Sequence, residues 1–205
     1  MKPVFDFGGV LFHWRPPELV QRELPHLATD AASAAFWAEA IFQGYGGDWA
    51  EFDRGSLAVP ALVRRIAQRT GLKDHEVQAV VDGVPNELQP IEQTVALLER
   101  LRNGGTPLYF LSNMPAPYAD HLEARHDVVG WFTDGVFSAR VQRVKPERAI
   151  FDLAARRFGV PPAELLFFDD HLPNVEAAIA AGWQAEHFTE AAGAADTLRR
   201  HGLLA

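Results

Sequence analysis

From residue 90 onward the chain alternates between segments of helical periodicity and short apolar runs, and that alternation leaves few folds open to it. Residues 91–102 read as a helix stopped by Asn103-Gly104-Gly105, 107–111 as a strand, 117–125 as a helix and 135–138 as a strand. A helix over 146–158, a strand over 165–168, a helix over 174–181, a strand over 183–187 and a C-terminal helix complete the series. Strands separated by helices of this length pair in parallel, because the helix is the crossover that returns the chain to the same edge. The expected fold is α/β: a Rossmann-like, mainly parallel sheet flanked by helices, binding ligands beyond the carboxyl ends of its strands.

One more strand lies far upstream. Pro3-Val4-Phe5-Asp6 is short and apolar, ends on a carboxylate and runs at once into Gly8-Gly9, as a buried strand entering a loop does. Between it and the alternating region the pattern is Ala, Leu, Arg and Glu at helical spacing, broken by Gly44-Tyr45-Gly46-Gly47 and Gly55-Ser56. Ser56 is expected to cap a helix reaching Gln68, with Gly71 as its stop and Pro60 restricting its first turn. The organisation expected is a core domain of residues 1–16 and 84–205 interrupted by an all-helical cap domain of residues 17–83. A length of 205 residues suits one core with a smaller insert better than two domains in tandem.

A formal net charge of −8 argues against nucleic acid or an anionic membrane as partner, since both require a basic face, and favours small ligands. No apolar run approaches the roughly 18 residues of a membrane span, and the strand-like segment beginning at residue 3 leaves no room for a signal peptide, so a cytoplasmic location is expected. The absence of cysteine excludes disulfides, thiolate metal sites and a cysteine nucleophile. Of 19 basic residues only Lys2, Lys73 and Lys145 are lysine, and a lysine kept in an arginine-rich chain suits a position that needs a compact point charge.

Three expected strands end in polar residues: Asp6, Ser112-Asn113 and Asp169-Asp170. Each alone reads as a cap or a turn former. In a parallel sheet, however, these ends share one edge, where Lys145 also arrives. Carboxylates, a hydroxyl, an amide and an ammonium together make a site for a hard cation and an oxyanion.

The segments Asp6-Phe7-Gly8-Gly9-Val10-Leu11, Leu111-Ser112-Asn113, Val144-Lys145-Pro146 and Phe167-Phe168-Asp169-Asp170-His171-Leu172-Pro173-Asn174 resemble the four ordered motifs of the haloacid dehalogenase-like superfamily. The helical insert resembles that superfamily's cap, and the similarity is closest to phosphatases of sugar phosphates, the glucose-1-phosphate type included. The resemblance implies a magnesium-dependent hydrolase of small phosphomonoesters in which Asp6 is the nucleophile of an aspartyl-phosphate intermediate. It implies Mg2+ held by Asp6, the Gly8 carbonyl and Asp170, with Asp169 and Asn174 supporting them. Phosphate would be bound by Ser112, Asn113, Gly9 and Lys145, the lysine also neutralising charge during catalysis, and the partner would be a small phosphorylated metabolite.

One position departs from that pattern. The second Asp that most phosphatases of the superfamily use as acid/base is Gly8 here, as in some of the sugar phosphatases. His13 is a candidate acid/base, since histidine titrates near neutrality, and equally a loop residue facing water. His121 and His126, five apart, lack the spacing of a helical metal pair. Trp37, Phe42, Tyr45, Trp49 and Phe52 are expected mostly as packing, with one or two residues near Gly44–Gly47 or Asp53-Arg54 facing substrate. Two alternatives stand beside the phosphatase. A 2-haloacid dehalogenase would use the same fold and nucleophile without metal, but has no use for Asp169-Asp170. A catalytically silent binding or regulatory protein would keep the scaffold without turnover.

Overall fold

Five strands pair in parallel in the order β3-β2-β1-β4-β5: β1 (Lys2–Phe5), β2 (Tyr109–Ser112), β3 (Asp134–Phe137), β4 (Leu165–Asp169) and β5 (Gln184–His187). The structure, a computed structural model, describes residues 1–204; Ala205 and the side chain of Tyr45 lie outside the described residues. β1 is central, with Val4 opposite Tyr109 on one side and Phe5 opposite Phe168 on the other. Successive side chains point to opposite faces. Phe5, Phe110, Leu166 and Phe168 therefore enter one core, and Val4, Tyr109, Leu111, Leu165 and Phe167 the other. Both faces are covered, which is why these strands read as continuous apolar runs rather than as alternation.

Between β1 and β2 the chain forms α1 (Pro16–Glu23), α2 (Ala31–Phe42), α3 (Gly47–Asp53), α4 (Val59–Thr70), α5 (Asp74–Glu87) and α6 (Glu92–Asn103). α6 packs with the C-terminal helix on the first face of the sheet, whose core continues unbroken into α1–α5. After β2 come α7 (Ala116–Arg125), α8 (Ser138–Val141), α9 (Arg148–Phe158), α10 (Leu172–Ala180) and α11 (Ala191–Arg200). α9 and α10 cover the second face through Ile150, Phe151, Ala154 and Ala178.

Two prolines explain local departures from the expected pattern. α4 begins at Val59, capped by Ala58 without a side-chain bond, and not at Ser56. Pro60 in its first turn has a preset φ and no N–H to satisfy, so a side-chain cap is less needed there; the Ser56 hydroxyl instead donates to the Glu51 carbonyl at 3.0 Å. Gly71 stops α4 as expected. Pro85 lies inside α5 and cannot donate to the carbonyl one turn back, that of Val81. That carbonyl accepts the Tyr118 hydroxyl of α7 at 2.9 Å, tying the helical insert to the sheet domain. Nearby, Glu87 is almost wholly buried and accepts from Arg15 at 2.8 Å and Arg22 at 3.0 Å, fixing the end of α5 against α1.

Candidate active site

The sheet reverses its strand order around β1 and β4, and a parallel sheet opens a crevice at such a point beyond its carboxyl ends. Asp6 leaves β1 there. Its N–H donates to the Phe168 carbonyl at 2.9 Å, continuing the β1–β4 pairing by one residue. The Phe7 carbonyl then accepts from Leu11 and Phe12 at 2.8 and 2.7 Å, closing the loop. The Phe7 ring is held among Phe12, Phe110, Phe132 and Phe137, so the backbone carrying Asp6 has little freedom.

Lys145 is buried between two carboxylates, its Nζ 2.8 Å from Asp6 Oδ2 and 2.6 Å from Asp169 Oδ2. Asn113 positions it: the Lys145 N–H donates to Asn113 Oδ1 at 2.8 Å, and Asn113 Nδ2 donates to the Lys145 carbonyl at 3.0 Å. This side-chain role was not evident in the sequence. Asp169 also accepts from the His171 N–H at 2.8 Å and from Asn174 Nδ2 at 3.0 and 3.1 Å, so its oxygens are spent on neighbours. Asp170 instead lines the cavity, and its backbone carbonyl meets His187 Nε2 at 2.8 Å.

Gly9 fits closely beneath Asp170. Its φ is +72°, and a Cβ there would lie 2.1 Å from Asp170 Oδ2. Its N–H donates to the Phe12 carbonyl at 2.8 Å, so Gly9 clears space for Asp170 rather than offering that N–H to a phosphate. Gly8 lines the cavity; His13 does not, and its N–H is donated to the Gln89 carbonyl at 2.9 Å. Ser112, at the end of β2, is buried with no partner for its hydroxyl among the described residues. A buried hydroxyl without a partner is costly unless a ligand completes it.

Asp6, Asp169 and Asp170 bring carboxylate oxygens within 4.8 Å of one another. Burial pushes the Asp6 carboxyl up to about 7, with Lys145 opposing and Asp169 and Asp170 reinforcing the rise. Burial and then Asp169 raise Asp170. Burial works against the Lys145 ammonium, but Asp169 and Asp6 outweigh it and hold its pKa above the ordinary value. Three carboxylates against one ammonium leave two negative charges uncompensated, which a divalent cation with a preference for oxygen ligands would balance.

The insert adds Asp53, which the sequence marked only as part of a segment near the substrate. It ends α3, is 4% exposed and lines the cavity. Burial pushes it up to about 8, Asp6 adding to the rise and Lys145 opposing it. Its carbonyl accepts the Ser138 hydroxyl, which in turn accepts the Met114 N–H at 2.8 Å. Arg54 grips Glu147 through two bonds of 3.0 and 2.6 Å. Gly55, at φ +77°, comes so near α8 that a Cβ would meet the Ala139 carbonyl at 2.7 Å. This docking holds Asp53 over the sheet edge. Trp14 and Trp49 also line the cavity; Trp49 belongs to the aromatic group expected mostly as packing, and Trp14 lies outside that group.

Set beside known proteins, residues 4–182 match the sequence model of a family described as haloacid dehalogenase-like hydrolase. The chain is 29% identical to the sesquiterpene phosphatase astK of Aspergillus oryzae over 96% of its own length and 94% of the relative's. It is 33% identical to the phosphoglycolate phosphatase of Escherichia coli over 42% of its length, a match spanning only 34% of that enzyme. In structure it is similar to a HAD family enzyme of Bacteroides thetaiotaomicron solved with magnesium and inorganic phosphate, at TM-score 0.69 and 18% identity, covering 92% of this chain and 93% of that one.

Proposed function

The chain belongs to the haloacid dehalogenase-like hydrolase family and is a hydrolase, and from that premise we propose that it is a magnesium-dependent phosphatase of small phosphomonoesters using Asp6 as its nucleophile. The observation that carries this reading is the placement of Lys145 Nζ between Asp6 and Asp169, at 2.8 and 2.6 Å, beside Asp170. An Asp6 oxygen attacks phosphorus as the bond to the alcohol oxygen breaks; water then cleaves the acyl-phosphate, releasing phosphate and restoring Asp6. Lys145 offsets the charge between carboxylate and phosphate. Asp169, braced by Asn174, keeps the ammonium charged and in place. The Ser112 hydroxyl and the Asn113 N–H hold phosphate oxygens. Asp6, the Gly8 carbonyl and Asp170 would hold magnesium, which would supply the positive charge that a carboxylate needs to approach a phosphate dianion.

Three clustered carboxylates favour this over dehalogenation, because a haloacid's own carboxylate would be repelled by Asp169 and Asp170. Residues 17–83 serve as a cap that excludes water from the sheet edge, a role supported by the docking of Asp53, Arg54 and Gly55 on the sheet domain. The relatives name two opposite substrate types, a sesquiterpene and phosphoglycolate, and the sequence resemblance adds sugar phosphates.

The test is turnover of p-nitrophenyl phosphate with magnesium and after chelation, combined with acid-quench trapping of phosphoenzyme in native protein and Asp6→Asn. Magnesium-dependent turnover and a trapped phosphoenzyme absent from Asp6→Asn are expected. Metal-independent turnover, or halide release from 2-chloropropionate in place of phosphate release, would overturn the reading.

A further inference from the structure

We propose that the alcohol half of the substrate is an apolar aliphatic chain, so that this site takes an alkyl or alkenyl phosphate monoester rather than a phosphorylated sugar or a carboxylate-bearing phosphate. The inference rests on the phosphatase reading above and names its substrate class. The cavity is lined by two chemically distinct sets of residues. Its charged groups other than Asp53 and His171 are Asp6, Lys145 and Asp170, already committed to nucleophile, phosphate and metal. The apolar part of the wall is Trp14, Trp49, Val84, Leu88, Met114 and Tyr118.

Tyr118 presents its ring rather than its hydroxyl to this space, since the hydroxyl donates to the Val81 carbonyl at 2.9 Å. Trp14 and Trp49 stack at 6.4 Å with Phe42 edge-on to both, which fixes a rigid aromatic surface. Sugar hydroxyls need paired donors and acceptors when they leave water. Among the described residues, Asp53 is the one carboxylate of the lining besides Asp6 and Asp170, and no lysine or arginine other than Lys145 lines the cavity. Two arginines of adjoining segments are engaged elsewhere: Arg54 with Glu147, and Arg140 with Asp120 and Glu123. A substrate carrying a second anion would therefore meet no lysine or arginine beyond Lys145, whereas an aliphatic chain loses water on both surfaces at once.

The experiment is kcat/KM, with magnesium and the full chain, for butyl, hexyl and octyl phosphate beside glucose-1-phosphate and 2-phosphoglycolate. Each buried methylene is worth up to about fourfold, so octyl phosphate should exceed butyl phosphate by about 50-fold or more and exceed both polar substrates. Leu88→Gln should lower the octyl-to-butyl ratio by about tenfold; because the ratio is taken within one variant, partial loss of folded protein cancels. No gain with chain length, an unchanged ratio in Leu88→Gln, or preference for either polar substrate overturns the substrate class and leaves the phosphatase reading intact if p-nitrophenyl phosphate is cleaved. Failure to cleave any ester, p-nitrophenyl phosphate included, overturns both.

Discussion

Asp53→Asn should stabilise the metal-free protein near neutral pH, and the size of the effect follows from burial of an acid that has a negative neighbour. The carboxyl is 4% exposed and is pushed from 3.8 to about 8, first by burial and then by Asp6, against the pull of Lys145. A folded-state pKa above the unfolded value favours folding at acid pH; that contribution disappears as pH rises from the unfolded toward the folded pKa. Between pH ~4.5 and ~7.5 the unfolded residue ionises while the folded one stays mostly protonated, about three pH units at about 1.4 kcal/mol each, or ~4 kcal/mol. Relaxation around the carboxylate trims this, leaving about 2–4 kcal/mol. Asparagine has the same shape and does not titrate, so it escapes the loss, and any cost of its amide is independent of pH.

The assay is urea unfolding of native protein and Asp53→Asn in EDTA at those two pH values, with the m-value compared to confirm that the same surface is exposed. The stability difference should move in favour of Asp53→Asn by about 2–4 kcal/mol on going to the higher pH. A difference that stays constant across the range would refute the argument, because it would mean Asp53 ionises in the folded protein as easily as in the unfolded chain.

Gly9→Ala should raise the magnesium concentration needed for half-activation by about tenfold or more, read by metal titration, because its Cβ would lie 2.1 Å from Asp170 Oδ2. Lys145→Ala should lower kcat/KM on p-nitrophenyl phosphate by about 10³-fold, with Lys145→Arg intermediate, since the fork of arginine does not fit a point-charge site between Asp6 and Asp169; native rates in both would place Lys145 outside the chemistry. Gly8→Asp has room, its Cβ falling 3.5 Å from Trp14 Cβ, and should speed hydrolysis of alkyl phosphates by up to about 10²-fold while barely changing p-nitrophenyl phosphate, whose leaving group needs no proton.

The positions of the candidate site residues could be read from sequence where one strand end was enough to place them. Asp6, Ser112 and Asp169 each close a run buried on both faces, and parallel pairing alone puts such ends on one edge. Lys145 was legible by its rarity in an arginine-rich chain, but not the Asn113 side chain that clasps its backbone from 32 residues away. Ser56 misled because Pro60 brings a preset φ and one N–H fewer to the first turn, and the helix starts at Val59, beyond reach of a Ser56 cap whose hydroxyl bonds Glu51 instead. The Tyr118 bond to Val81 is partly legible in retrospect, since a proline inside a helix leaves the carbonyl one turn back open to another donor.

Asp53 shows why the remainder was hidden. Nothing in Asp53-Arg54-Gly55 identifies a buried acid; its place over Asp6 depends on Arg54 reaching Glu147, Ser138 donating to the Asp53 carbonyl and Gly55 lying flush on α8. Those contacts join segments about 85 to 93 residues apart, beyond any local periodicity. The same docking brings the apolar Trp49 of the insert into the cavity that Asp6 and Asp53 both line. Burial thus leaves Asp53, pushed up to about 8, lining the same cavity as the glycine at position 8, while His13 does not line it.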